Sequence, residues 1–148
     1  MTDPIAFRSA QPEDVAFCEA LYFESMGSII EALALDMGQQ QESFANQWKL
    51  SEVRIVKVGS VEVGWLQTTQ TDDAVVLGQL YLAASSRGRG IGTRVVQSVI
   101  EEAARGGKAV SLSVVKINPA RRLYARLGFR VTHEDRHKLY MRRNPQSR

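Results

Sequence analysis

Seven consecutive residues, Arg87-Gly-Arg-Gly-Ile-Gly-Thr93, place three alternating glycines beside two arginines. Glycine lacks Cβ, so Gly88, Gly90 and Gly92 let the backbone bend tightly and come close to a ligand. From the end of this turn, Ile91, Val95, Val96, Val99, Ile100 and Ala103 recur at helical spacing, so the turn opens a helix. The first N–H groups of a helix have no intrahelical acceptor, and its positive end attracts anions. Arg87 and Arg89 add charge there, and the chemistry expected of the stretch is binding of a phosphate-bearing ligand. Other reactive side chains are few. With one cysteine and two histidines the sequence offers no dedicated metal site, and Cys18 lies in an apolar helical stretch as a core residue.

The elements that must position this turn follow from periodicity and punctuation. Ile5–Arg8 is a short strand candidate. Pro12, Glu13 and Asp14 suit a helix start, and Val15, Cys18, Leu21 and Tyr22 form its apolar face. Gly27 is expected to interrupt the helix. A second short helix is expected from Ser28 to about Met37, ended by Gly38, and a third over Gln41–Trp48 with Phe44 and Trp48 on one side. Val53–Val58 and Val61–Thr69 read as strands joined by the hairpin turn Gly59-Ser60. After Thr71-Asp-Asp73, the strand Ala74–Leu82 leads into the glycine turn. The helix ends at Gly106-Gly107. Ala109–Val115 then reads as a buried strand parallel to its predecessor, because a strand–helix–strand crossover joins them. Asn118 is expected to cap a helix with Pro119 at its first position, running to Leu127 before Gly128. Phe129–His133 and His137–Met141 are the last strands, and residues 144–148 a frayed tail. The expected fold is a mixed α/β single domain over residues 1–148: helices on a mostly antiparallel sheet of about seven strands with one parallel pair.

The 148 residues carry 44% hydrophobic and 24% charged side chains, as soluble globular proteins do. No apolar run reaches membrane-spanning length and no secretory leader pattern opens the chain. Together with the single cysteine, this predicts a protein of the reducing cytoplasm, with no membrane partner. The net charge of +3 conceals a net −8 over residues 1–86 and +11 over residues 87–148. A basic half suits an anionic ligand and an acidic half a cationic one. The basic residues are dispersed over turns and helices without a nucleic-acid motif, so no nucleic-acid partner is expected; a binding module of that kind is the weaker alternative.

Comparison of phosphate loops narrows the ligand. A nucleoside-triphosphate loop ends in Gly-Lys-Ser/Thr, whereas here Gly92 is followed by Thr93 and Arg94. A dinucleotide fingerprint needs a further glycine where Thr93 stands, and the preceding strands read as a meander. Arg87-Gly-Arg-Gly-Ile-Gly92 instead resembles the acetyl-coenzyme A signature of the Gcn5-related N-acetyltransferases (Gln or Arg, two residues, Gly, one residue, Gly or Ala). About twenty-five residues on, Asn118-Pro-Ala-Arg-Arg-Leu-Tyr-Ala-Arg-Leu-Gly-Phe129 resembles the family's second signature, with its Asn start, mid-helix Tyr and Gly-Phe exit.

The resemblance implies an N-acetyltransferase fold and transfer of acetyl from acetyl-coenzyme A to a primary amine of a small molecule or peptide, without a metal. It implies that Arg87, Gly88, Arg89, Gly90, Ile91, Gly92 and Thr93 wrap the pyrophosphate with backbone amides. It also implies that Leu80, Tyr81 and Leu82 splay from the strand Ser111–Val115, that pantetheine pairs with exposed backbone there, and that an N–H near Leu82 polarises the thioester carbonyl. By the same resemblance Tyr124 protonates the leaving thiolate, as a phenol near pKa 10 can. Asn118 caps its helix and approaches pantetheine. One of Arg121, Arg122 and Arg126 meets the ribose phosphate. A homodimer is compatible with the family.

The general base stays open. Some relatives carry a Glu late in the strand before the turn, where this chain has Gln79, which cannot take a proton. A water chain to Glu24, Glu31 or Asp73, or an amine arriving partly neutral, are the alternatives; Gln79 would then orient substrate or water. His137 is a further candidate on the acceptor side. The region Leu21–Trp48 supplies Tyr22, Phe23, Phe44 and Trp48 as acceptor walls, and its acidity favours a cationic amine. A non-catalytic acyl-coenzyme A sensor on the same fold is the second functional class, disfavoured by the presence of Tyr124.

Overall fold

The computed structural model describes residues 4–145. Seven strands form one sheet in the order β1-β2-β3-β4-β5-β7-β6. They are β1 (Ile5–Ser9), β2 (Val53–Val58), β3 (Val61–Gln70), β4 (Ala74–Leu82), β5 (Ala109–Val115), β6 (Arg130–Glu134) and β7 (Lys138–Arg143). The helices are α1 (Val15–Ala32), α2 (Met37–Gln47), α3 (Ile91–Arg105) and α4 (Ala120–Arg126). β4 and β5 pair in parallel, as the crossover through α3 requires, while β1–β2, β2–β3, β5–β7 and β6–β7 are antiparallel. No helix among the described residues is long and apolar enough to cross a membrane. Residues 146–148 of the expected tail lie outside the described residues.

The chain divides into two compact units. The first comprises the residues up to Gln67 together with Gln79–Arg87. Its core gathers Cys18, Leu21 and Tyr22 from α1, Phe44 from α2, Val53 and Ile55 from β2 and Trp65 from β3. Aromatic rings dominate: Phe44 stacks on Trp48 with centroids 5.6 Å apart, and Trp65 meets Phe44, Trp48 and Tyr81 at 6.1, 5.7 and 5.4 Å. Arg8 ties the entry to α1 through a two-pronged bond to Asp14 at 2.8 and 2.9 Å and a bond to Glu62 at 2.7 Å. Held by this guanidinium, the Asp14 carboxyl sits below its ordinary pKa. Cys18 is buried, and desolvation pushes its thiol up to about 12, which suits a packing residue and not a nucleophile.

The second unit comprises Thr68–Gly78 and the residues from Gly88 onward. Here α3 packs on β5 with Val95, Val96 and Val99 buried, each contributing about 1.5–3 kcal/mol. Ile91 and Ala103 extend this face, while Ile100 is only partly covered.

Three expectations need correction. α1 is continuous through Gly27, whose missing Cβ faces open space. A helical glycine costs about 1 kcal/mol, which burial of Ile29 and Ile30 in the following turn offsets. The helix stops instead at Ala34, a left-handed residue (φ 51°), with Leu35 N–H donating to Ile30 C=O at 2.9 Å. That closure is normally made by glycine, so the sequence carried no stop signal there. Gly38 does not end a helix: Asp36 accepts from Gln39 N–H at 2.9 Å and opens α2, which replaces the expected third helix. Val15, placed on the apolar face, is 39% exposed.

Gly64 in β3 is a close-approach glycine. A Cβ there would run into the Tyr81 carbonyl oxygen and lie 2.7 Å from Leu82 Cδ2. Gly64→Ala is expected to cost about 1–3 kcal/mol through overpacking against β4. Gly106→Ala, whose added Cβ has nothing nearer than 3.7 Å, is the control and should stay within about 0.5 kcal/mol. Urea denaturation of both variants checks this, and equal stabilities would show that the close approach carries no strain.

Candidate functional site

In the second unit, α3 begins at Gly90, which is left-handed at φ 75°, two residues after Gly88 at φ 74°. Neither would meet another atom through an added Cβ, so glycine is required for conformation and the adjoining space is open. No side chain caps the helix. Arg94 N–H closes the first turn on Gly90 C=O at 3.1 Å, and the N–H groups of Ile91, Gly92 and Thr93 find no acceptor among the described residues. These three donors converge at the positive end of a 15-residue helix, and the exposed Arg89 has no ion pair among the described residues. The arrangement fits an anionic group of phosphate type.

Tyr124 is half-buried in the last turns of α4. Its ring meets Phe129 edge-on at 5.7 Å, and its carbonyl accepts from both Leu127 and Phe129 N–H at 3.1 Å. Desolvation pushes the phenol up to about 12, so it stays protonated across the physiological range. Its hydroxyl has no hydrogen-bond partner among the described residues. Asn118 Oδ1 accepts from Ala120 N–H at 2.9 Å. Asn118 therefore fixes the start of α4, whose boundary residue is Pro119, so the helix begins one residue later than expected. Pairing of β4 with β5 covers Ala74–Val76 against Ala109–Ser111. Beyond Ser111, β5 continues paired with β7 as far as Val115. Arg121, Arg122 and Arg126 are exposed.

In the first unit, the end of β4 is held at several atoms. Arg87 Nε donates to Leu82 C=O at 3.2 Å and Nη2 to Ser25 Oγ on α1 at 2.9 Å. Ala83 N–H donates to Val63 C=O at 2.8 Å, so the Leu82–Ala83 peptide is fixed through both its groups. The Arg87 side chain, expected as free charge beside an anion, is thus bound to α1 and β4. Gln79 and Tyr81 are joined by a Tyr81 hydroxyl bond to Gln79 Oε1 at 2.8 Å, and Gln79 Nε2 donates to Gln47 Oε1 at 2.7 Å. Tyr22 meets Tyr81 edge-on at 5.2 Å and is buried. Leu80, Tyr81 and Leu82 are each partly covered.

The remaining candidates disperse. Glu24 and Glu31 are exposed on α1 and bond neither Gln79 nor Tyr81 among the described residues. Asp73 pairs with Arg142 at 3.3 Å. His137 is not on a strand: it is exposed in the β6–β7 turn, where its N–H donates to Asp135 Oδ1 at 2.9 Å. Sequence reasoning missed Gly64 and Gln47. A lone glycine inside the apolar run Val63-Gly-Trp-Leu66 was a legible sign of close backbone approach, whereas an exposed glutamine at a helix end carries no sign.

A family model described as FR47-like protein matches residues 60–138, more than half of the chain, and the chain belongs to this family, which is of the Gcn5-related N-acetyltransferase type. The fold is that of solved acetyltransferases. The PaiA N-acetyltransferase of Thermoplasma acidophilum, solved with coenzyme A, is 18% identical with a TM-score of 0.77, covering 95% of this chain and 99% of that one. Naa50 of Arabidopsis thaliana, solved with a bisubstrate analogue, is 15% identical with a TM-score of 0.65 over 95% and 98%. N-acetylglutamate synthase of Neisseria gonorrhoeae is 16% identical with a TM-score of 0.71, over 99% of this chain and 36% of that one. No curated protein matches the sequence.

The buried phenol gives a direct check. The difference between the alkaline absorbance titrations of the wild type and Tyr124→Phe should show one step near pH 12. The unfolded chain releases this proton near pH 10 and the folded chain holds it to about 12. Tyr124 therefore favours the folded state below pH 10, and this contribution is lost progressively between those values. A step at pH 10 would show that the hydroxyl is solvated.

Proposed function

We propose that the chain is a single-domain acetyl-coenzyme A-dependent N-acetyltransferase acting on a primary amine of a small molecule or peptide. The observation that carries this reading is the uncapped start of α3, where the Ile91, Gly92 and Thr93 amides stand behind the left-handed residues Gly88 and Gly90. Acetyl-coenzyme A supplies an activated thioester and a pyrophosphate. Gly88–Thr93 hold the pyrophosphate by backbone N–H groups, helped by Arg89. Leu80–Leu82 present strand backbone to the pantetheine arm, and the Leu82 N–H stabilises the oxyanion. Gly64 and Arg87 keep that backbone in place. Asn118 fixes the helix that carries Tyr124. As the amine nitrogen bonds to the carbonyl carbon and the carbon–sulfur bond breaks, the Tyr124 hydroxyl delivers its proton to sulfur and is reprotonated from solvent. A phenol kept neutral to about pH 12 is suited to donating. The aromatic groups of the first unit, with Tyr22 and Gln79, form the acceptor side; the exposed Glu31 and His137 are further candidates for contact with the acceptor.

Saturating acetyl-coenzyme A, at about one hundred times its dissociation constant, should stabilise the protein by about 2.7 kcal/mol in a thermal shift. Thiol release should then follow with a subset of an amine panel. Tyr124→Phe should bind acetyl-coenzyme A as the wild type does and lose at least about tenfold in turnover. Binding without thiol release from any amine would favour a sensor, and unchanged turnover in the variant would remove Tyr124 from the chemistry.

A further inference from the structure

α4 carries Tyr124 but has little of its own to hold it in place. It spans only Ala120–Arg126, too short to be stable alone, and none of its residues is buried. Asn118 fixes its start locally. Its end is fixed by a second device. Gly128 N–H donates to Ala125 C=O and Phe129 N–H donates to Tyr124 C=O, each at 3.1 Å, which is the two-bond closure that ends a helix on a left-handed glycine. Gly128 takes that conformation at φ 93°. In such a closure the third residue from the helix end meets the second residue beyond the cap. Here these are Tyr124 and Phe129, whose ring centroids lie 5.7 Å apart. Phe129 is buried, so the closure seats the Tyr124 ring against a fixed surface.

This closure is locked from a distance. Arg143, the last residue of β7, donates from Nε to the C=O of the cap residue Leu127 at 2.8 Å. A cation at the negative end of a helix is favourable, and an ionised donor strengthens the bond. Gly128 leaves room for it: a Cβ there would lie 3.3 Å from Arg143 Nε and 3.8 Å from its Cδ. The glycine thus serves twice, by its conformation and by admitting the Arg143 side chain. The intervening chain gives no comparable hold, because all five residues of β6 are exposed. β7 lies between β5 and β6, with Arg143 opposite Val110 of β5. The Arg143 bond therefore ties the end of α4 directly to a strand inside the sheet.

We infer that Arg143 is a positioning residue for Tyr124: its guanidinium holds the Leu127–Phe129 closure and through it aims the phenol. This rests on the acetyl-transfer reading above, in which Tyr124 gives its proton to sulfur, and adds the residue that keeps that donor in range. A general acid must lie within hydrogen-bond reach of the atom it protonates. A misplacement of about 1 Å can cost about a hundredfold in rate.

Two variants of the full-length protein separate the donor from the stem. Glutamine carries an amide nitrogen as many bonds from Cα as arginine Nε, so Arg143→Gln keeps a donor without the charge, while Arg143→Met keeps the stem and has no donor. Thiol release with an amine that the wild type acetylates should show kcat at least about tenfold lower in Arg143→Met, with the KM for acetyl-coenzyme A within about twofold. Arg143→Gln should keep at least about one-third of the wild-type kcat. Hydrogen exchange at neutral pH should give the Gly128 and Phe129 amides at least about tenfold less protection in Arg143→Met, with the α3 amides unchanged; a general loss of stability would lower both. In the wild type, which needs no variant to fold, the Arg143 Nε–H should exchange with solvent at least about tenfold more slowly than that of the exposed Arg121. Equal exchange of these two groups would overturn the inference. So would wild-type kcat in Arg143→Met, or a loss in Arg143→Gln as large as in Arg143→Met. If Tyr124→Phe loses turnover while Arg143→Met does not, the inference fails alone and the acetyl-transfer reading stands. Unchanged turnover in Tyr124→Phe, or thiol release with no amine at all, would bring down that reading and the inference with it.

Discussion

Two glycines at positive φ leave a helix with nothing to cap it, and the chemistry proposed for this protein depends on that arrangement. Gly88 and Gly90 turn the chain so that α3 starts abruptly, with Ile91, Gly92 and Thr93 presenting amide hydrogens to open space. A serine or aspartate at the cap would satisfy one donor and occupy the place of a ligand oxygen. The cost of unpaired donors is borne in the free protein by solvent and relieved by an anion. The buried valines of α3 supply the stability that holds the helix start in place without a cap.

β4 meets two different demands along its length. Its first residues, Ala74–Val76, are ordinary parallel-sheet partners of β5. Its last residues belong to a different compact unit, where Gly64 admits the Tyr81 carbonyl and Arg87 and Val63 hold the Leu82–Ala83 peptide. Fixing a peptide through both its carbonyl and its N–H makes the neighbouring backbone a rigid hydrogen-bonding surface, which is what stabilising a developing oxyanion requires. On the same segment the Tyr81 hydroxyl donates to Gln79 Oε1, and Gln79 Nε2 donates to Gln47, so the strand end is tied to α2 through side chains as well.

Much of this was legible in the sequence because it rests on local rules. β4 and β5 were bounded correctly by β-prone, largely apolar runs between turn signals, and the glycine turn and α3 by glycine placement and helical spacing. The parallel β4–β5 pair followed from the strand–helix–strand crossover that joins them. The failures were tertiary. α1 runs through Gly27 because burial outweighs propensity, and it stops at an alanine in a glycine conformation. Arg87 looked like a phosphate ligand because sequence shows charge but not the Ser25 hydroxyl and Leu82 carbonyl that engage it. The Gln47–Gln79–Tyr81 network joins residues far apart in the chain, and no spacing rule announces such a contact.

The most direct measurement is an amide-resolved nuclear magnetic resonance titration of the protein with coenzyme A. The Ile91, Gly92 and Thr93 N–H signals should move downfield in a saturable manner with those of Gly88 and Gly90, as donors that lack an acceptor in the free chain acquire a phosphate oxygen. Saturable coenzyme A binding that leaves these amides unmoved would contradict the assignment of the glycine turn as the anchor of the cofactor.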